Sequence, residues 1–458
     1  MTKKSKTKPK KEVKNPSTSS TSTENKALST ISPSGFAKVR VYNVGFGDCF
    51  LLTVPYSEKD GGDKRVLIDF GSRANPIGFK NVKKLVAEDI NIQCGGDDKG
   101  KSGKLHAVVA THRHADHING FAGEAGQIIK KLNPDLVLQP WTEDPKASKK
   151  WTGGTKLYFE GLKEAQIFAQ QLSDNLHLNP EEKNFSIIKS HNETKFIAEL
   201  NLANNEAIKN LTEMGSDPNK AEYLSYGKKT SLEEILPGVE VTVLGPPTID
   251  DYPDILKKDD DPSEYWIFQN KLISYLTNLK IGSKKPKLFS KSKVVEKTEL
   301  PPDAQWFTER LNLNRIEQLY KISTMMDASL NNTSLILLFN IKGKKLLFSG
   351  DAQLENWNYS LKVKNDLDKL KDVNLYKVGH HGSKNATPKT LWNNFDNKSD
   401  QKKPQRLQSV LSTKYGPYVS SDGTVPRADL VTALDQWSEL TDTEKIGQQL
   451  YVDVEIKA

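Results

Sequence analysis

Residues 105–117 read LHAVVATHRHADH, and the fold turns on how this stretch divides. Leu105 to Ala110 is a short apolar run with paired valines, the composition of a strand buried on both faces. Thr111 to His117 then gathers three of the chain's eight histidines and one aspartate. Imidazole and carboxylate are the ligands a zinc-type ion takes, and a turn leaving a strand can aim alternate side chains at one point. His112 and His114 therefore suit one ion, and Asp116 with His117 a second. A polar loop that happens to be rich in histidine is the competing reading. It leaves two further strand ends unexplained. Phe348-Ser349-Gly350-Asp351 closes one apolar run, and Val378-Gly379-His380-His381-Gly382-Ser383 closes another. A carboxylate at a strand end can bridge two ions, and an imidazole at a neighbouring end can complete the second site.

Outward from the motif, short apolar runs bounded by Gly, Asn or Asp interleave with helical stretches, which places the chain in the α/β class. The expected strands are AKVRVYNV from Ala37, CFLLTV from Cys49, RVLIDFG ending at Asp69 and Gly71, and DLVLQP from Asp135. Later come VEVTVLGPP, TSLILLFNI, KKLLFSGD, NLYKVGHHG and SVLST. Helices are expected over 120–131, about 352–363 and 426–439. Two stretches break the rhythm and read as largely helical insertions, about 142–236 and 250–330. The second contains an amphipathic segment, SEYWIFQNKLISYLTNLK, followed by seven Lys against one Glu between 280 and 297.

Composition narrows the function classes. The 458 residues are 36% hydrophobic and 27% charged, without an apolar run near the ~18 residues of a bilayer span, so a globular protein with no membrane span is expected. Two cysteines, Cys49 and Cys94, are too few for a disulfide scaffold and fit a reducing compartment, the cytoplasm. Residues 1–36 lack the apolar core of a secretory signal. They carry eight Lys and two Glu, so most of the net charge of +8 belongs to a basic tail expected to be disordered, and the body at 37–458 is nearly neutral.

These motifs resemble the metallo-β-lactamase superfamily, through His112-x-His114-x-Asp116-His117 and the later Asp351 and His380-His381. The chain is most similar to the hydrolase domain of bacterial competence (DNA-uptake) channel proteins. The likeness is carried by Tyr42-Asn43-Val44-Gly45-Phe46-Gly47-Asp48-Cys49, Leu67-Ile68-Asp69-Phe70-Gly71, Asn332-Thr333-Ser334, Lys377-Val378-Gly379 and Val410-Leu411-Ser412-Thr413. It covers roughly 37–140 and 239–458, broken near 250–330. The resemblance implies a four-layer αββα sandwich with two divalent ions at one edge, zinc or manganese. By that likeness His112 and His114 hold the first ion, Asp116 and His117 the second, Asp351 bridges, and one of His380 and His381 joins the second, His380 being favoured for its place directly after Gly379. Asp69 orients a ligand. Two departures stand out. The third histidine many superfamily members give the first ion has only His177 and His191 as candidates here, and a His-Pro near the C-terminus is replaced by Val425-Pro426.

The resemblance implies hydrolysis, with Asp116 orienting the attacking water or moving its proton. Ser383 and Lys384, directly after the histidine pair, read either as phosphate contacts at the rim or, for Gly382-Ser383, as a turn. Fold does not fix substrate. The basic tail and the Lys-rich segment favour a phosphodiester, with nucleic acid as a candidate polymer. A small phosphodiester, a phosphorylated metabolite or a lactone is the alternative. A third reading is an inactive metal-stabilised scaffold that binds a protein partner.

Overall fold

Alternation of apolar side chains along each strand sends successive residues to opposite faces, and it builds a core on both sides of every sheet. The computed structural model of the protein describes residues 31–147, 153–176, 185–256 and 319–456, apart from 203, 218–219, 384, 404, 417–418 and 421–422. The amphipathic segment and the Lys-rich stretch 280–297, His177, Lys384 and residues 1–30 of the basic tail lie outside the described residues. Ser34 already donates its backbone N–H to Pro55 O at 2.8 Å, so ordered chain begins ahead of Phe36.

In chain order the strands of the first sheet begin with β1 (Lys38–Tyr42), β2 (Cys49–Val54), β3 (Lys64–Phe70), β4 (Ala107–Val109), β5 (Leu136–Pro140) and β6 (Ala221–Leu224). The second sheet uses β7 (Val239–Gly245), β8 (Ile336–Ile341), β9 (Lys344–Phe348), β10 (Val373–Lys377) and β11 (Gln408–Leu411). A two-stranded ribbon, β12 (Val419–Ser420) and β13 (Gly423–Thr424), precedes β14 (Glu439–Asp442) and β15 (Tyr451–Glu455). The sheet orders are β15-β1-β2-β3-β4-β5-β6 and β14-β11-β10-β9-β8-β7, and both sheets are mixed.

Every second residue of the central strands faces the other sheet. Val39, Phe50, Leu52, Val66, Ile68 and Val109 from the first sheet share one buried cluster with Leu337, Phe339, Leu346, Phe348, Leu375 and Val410 from the second. Their neighbours in sequence face outward. Leu51, Leu67, Val108 and Val137 pack under α1 (Val82–Gln93), α2 (Gly123–Lys131) and the helix Asn205–Met214. Ile336, Leu338, Leu347 and Tyr376 pack under the helices of the C-terminal half, including Ala428–Trp437. Helices thus cover the outer face of each sheet.

Most expected strands are present, with local differences. The ladder after Leu105 spans only Ala107–Val109, since the chain turns away at Thr111. Between 120 and 131 a single 3-10 turn, Asn119–Phe121, precedes α2. The region 142–236 is not purely helical: Ala221–Leu224 pairs in parallel with β5 and lengthens the sheet, a strand too short to show alternation in the sequence.

The first sheet is closed by its ends. β15 pairs antiparallel with β1, from Lys38 opposite Glu455 to Tyr42 opposite Tyr451. Arg40 holds this seam, with Nε 2.7 Å from Asp453, Nη1 2.9 Å from Asp89 on α1 and its guanidinium 3.5 Å over the Tyr451 ring. Replacing Arg40 with Met should destabilise the protein by about 2–3 kcal/mol, less than for a fully buried pair because Asp453 keeps contact with water. Urea unfolding of the two proteins tests this, and equal midpoints would refute it.

Candidate metal centre

Strand direction delivers the polar residues to one place. β3 runs parallel to β4, and β9, β10 and β11 run parallel to one another. The carboxyl ends of these strands lead into Asp69, Thr111–His117, Asp351, His380–His381 and Ser412. Two glycines let the loops close up. A Cβ on Gly71 would lie 2.2 Å from the Asp116 carbonyl carbon, so only glycine fits there, and Gly350 has a φ of +49° just before Asp351. Backbone bonds stitch the loops together: Asp48 N donates to Asp116 O and Gly71 N to Asp48 O, both at 2.9 Å.

The structure brings His112, His114, Asp116, His117, Asp351 and His381 into the junction between the sheets, none of them more than 3% exposed. One ligand atom each from Asp116, His117, Asp351 and His381 lies within 4.8 Å of the others, close enough to hold a metal ion. His117 Nε2 is 3.0 Å from Asp351 Oδ2, and His381 Nε2 is 2.8 Å from Asp116 Oδ2 and 3.5 Å from Asp351 Oδ2. Asp48, Asp69 and His117 form a second such group. Asp69 is committed elsewhere in it, accepting from Thr111 N at 2.7 Å, Thr111 Oγ1 at 2.7 Å and His117 Nδ1 at 2.8 Å. Those bonds hold it against the Thr111 turn and the His117 ring.

All four imidazoles have their outer nitrogen anchored, which orients each ring and turns its inner nitrogen toward the junction. His117 Nδ1 meets Asp69, and His381 Nδ1 donates to Ser412 O at 2.9 Å. Thr111 Oγ1 spends its hydrogen on Asp69 and so accepts from His112 Nδ1 at 3.2 Å. Asn201 Nδ2 donates to Ile197 O at 2.7 Å, which turns its Oδ1 to accept from His114 Nε2 at 3.1 Å. His112 Nε2 and His114 Nδ1 are then left facing each other at 3.1 Å. Two lone pairs at that separation call for a cation or proton between them.

Buried orphan atoms pass the same test. Asp116 Oδ1, His117 Nε2 and Asp351 Oδ2 make no hydrogen bond of good geometry. Burial alone would push these carboxyls up; the neighbouring cations outweigh it. Asp351 is held well below its ordinary 3.8 by His117, Lys377 and His381, and Asp116 is lowered by His117 and His381. Burial likewise opposes charge on His117, yet Asp351, Asp69, Asp48 and Asp116 raise it well above 6.5. His381 is raised for the same reason, chiefly by Asp351 and Asp116 against burial. His112 is lowered by burial and by His117 and His114, so it stays a neutral donor.

His381, not the favoured His380, joins the cluster. Both residues adopt left-handed backbone, with φ of 44° and 50°, and this sharp turn sends consecutive side chains apart. The His380 ring instead meets Ser383 Oγ at 3.0 Å and, more loosely, Asn331 and Gln353. Its backbone N–H still donates to Asp351 Oδ1 at 3.0 Å. His191 is buried on the helix Phe185–Leu200 and belongs to none of the ligand groups found among the described residues.

Two residues with no role in the motif complete the centre. Lys377, at the end of β10, is fully buried and donates to Gly350 O at 2.8 Å and Asp351 Oδ1 at 3.1 Å while pairing with Asp48. Lys377 and His380 N thus occupy Oδ1 of Asp351 and present Oδ2 to the imidazoles. Both Asp48 and Lys377 sit in segments quoted above, but their pairing crosses from one sheet to the other.

The helix Phe185–Leu200 closes over this end. Phe196 stacks edge-on against Phe46 at 5.8 Å between centroids, Phe46 lies 4.4 Å from the His381 ring, and Glu199 pairs with Arg73. A helix over 319–331 brings Asp327 to 3.8 Å from His114 Nε2. The chain matches no protein family model and no curated protein.

Two outcomes follow from these charges. A metal ion taken up here would compete with protons for His117 and His381, whose basicity the surrounding carboxylates raise, so its apparent affinity should rise with pH, with protons released on binding. Titration calorimetry in buffers of different ionisation enthalpy measures that release, and affinity independent of pH between about 6 and 8 would contradict it. Lys377→Met strands Asp48 and Asp351, and should cost the metal-free protein about 3–5 kcal/mol in urea unfolding, much of it recovered by adding Asp48→Asn.

Proposed function

We propose that the protein is a metal-dependent hydrolase of phosphodiester bonds, built on the αββα sandwich of the metallo-β-lactamase type. The observation that carries this reading is the set of four buried imidazoles, each anchored through its outer nitrogen and each turning its inner nitrogen into one buried junction lined by Asp116 and Asp351. Helices outside, sheets inside and ligands at the strand ends are what that fold requires. Asp116, His117, Asp351 and His381 would hold one ion, and His112 with His114 a second. A bound divalent ion, zinc or manganese, supplies Lewis acidity and lowers the pKa of water. The rest is done by the chain. Asp351 Oδ2, pinned by Lys377 and His380 N on its other oxygen, fixes the ligand plane. Asp116 Oδ1, buried without a hydrogen bond, is the acceptor free to orient a water or take its proton.

Of the two substrate sizes, burial of the cluster beneath the helix Phe185–Leu200 and residues 319–331 supports a small phosphodiester over a polymer. The nucleic-acid reading depends on the basic tail and the 280–297 lysines, outside the described residues. No described helix is long and apolar enough to cross a membrane. Both cysteines are free and buried, which supports a cytoplasmic setting.

Bis-para-nitrophenyl phosphate with added zinc or manganese tests the reading. Asp351→Asn and His381→Ala should each lower kcat at least about 100-fold and reduce bound metal, since each removes a ligand made in the reacting complex. His106→Ala is the control: His106 precedes β4, at the strand end opposite the cluster, and should leave metal content and turnover unchanged. Full turnover by His381→Ala, or by wild-type protein stripped of metal, would overturn the proposal.

A further inference from the structure

Beside the ligands runs a polar belt that metal binding does not use. Asp327 and Asn331 stand one helical turn apart on the helix over 319–331, 5% and 0% exposed. Asn331 Nδ2 donates to Asp327 Oδ2 at 3.0 Å, which fixes the amide and leaves Asn331 Oδ1 and Asp327 Oδ1 as the outstanding atoms. Both are buried acceptors without a hydrogen bond among the described residues. The belt continues through His380, near Asn331 at 3.4 Å, to Ser383 and to Gln353, which accepts from Asn385 at 3.0 Å. Asp327 faces the metal ligands as well, 3.8 Å from His114 Nε2.

A buried acceptor left empty costs about 1–3 kcal/mol, and only a donor satisfies it. Two of them, side by side at the rim of the cluster, define the group that belongs there. We propose that Asp327 and Asn331 form a recognition site for a hydrogen-bond-donating substituent, a hydroxyl or an ammonium, carried by the substrate next to its phosphoryl group. This rests on the phosphodiester reading of the same centre. The carboxylate and the amide oxygen together would accept two donors from one substituent or from neighbouring hydroxyls. Substrates lacking such a group would leave both oxygens unpaired, and that penalty is how a buried polar site rejects the wrong molecule.

Paired ligands that differ only in the donor separate the possibilities. Inhibition of bis-para-nitrophenyl phosphate turnover by the zinc-loaded protein would be compared for glycerol 1-phosphate against propyl phosphate, and for ethanolamine phosphate against ethyl phosphate. The donor-bearing member of at least one pair should bind roughly ten-fold tighter or more. Asp327→Ala should abolish that preference while leaving metal content and inhibition by the plain alkyl phosphate unchanged. Asp327→Asn keeps an acceptor oxygen and the side-chain shape, so it guards against a variant that fails to fold. It should retain a preference for glycerol 1-phosphate but lose one for ethanolamine phosphate, which distinguishes hydroxyl from ammonium. Equal inhibition within both pairs, or a preference that survives Asp327→Ala, overturns the recognition site alone. If none of the four phosphates competes although zinc is bound, the phosphodiester reading falls and the recognition site falls with it.

Discussion

Four carboxylates, Asp48, Asp69, Asp116 and Asp351, are sealed between two apolar sheets, and everything at this end of the molecule answers that concentration of like charge. Charges taken out of water are tolerable only when paired and hydrogen-bonded. Lys377 supplies one permanent cation, shared by Asp48 and Asp351. The remainder falls to groups whose charge is exchangeable. His117 and His381 carry it as protons when no other cation is present, which is why their basicity rises despite burial. Ligand atoms of Asp116, His117, Asp351 and His381 meet there closely enough to hold a metal ion.

Both sheets contribute to it. Asp48, Asp69 and the His112–His117 turn come from the first sheet, whereas Asp351, Lys377, His381 and Ser412 come from the second. The Ser412 hydroxyl donates to Gly47 O at 2.6 Å, and the Asp48–Lys377 pair crosses the same seam. Sheet packing and site formation are therefore one event.

Much of this was legible along the chain because it is local. A strand ending in a polar turn is written in a dozen consecutive residues, and the motif from His112 to His117, with Asp351 and the histidine pair, lies at such ends. The choice between His380 and His381 was not legible, since it depends on two successive left-handed residues that reverse which side chain turns inward. Lys377 and Asp48 read as ordinary strand and turn residues until the sheets face each other. Asn201, just past the helix Phe185–Leu200, and Asp327 and Asn331, on the helix over 319–331, belong to no quoted motif, and only tertiary packing sets them over the centre.

The antiparallel seam between β1 and β15 has a further consequence. Residues at 38 and 455 are partners, so the edge of the first sheet is made from the two extremes of the described chain. Loop closure over that separation is among the slowest steps a chain can be asked to make, because contacts far apart in sequence are rewarded only after their entropy has been lost. During synthesis, the residues of the first sheet emerge with an exposed edge at β1 and with their buried carboxylates still lacking Lys377. Until β15 has been made, the edge at β1 stays unpaired and open to wrong pairing.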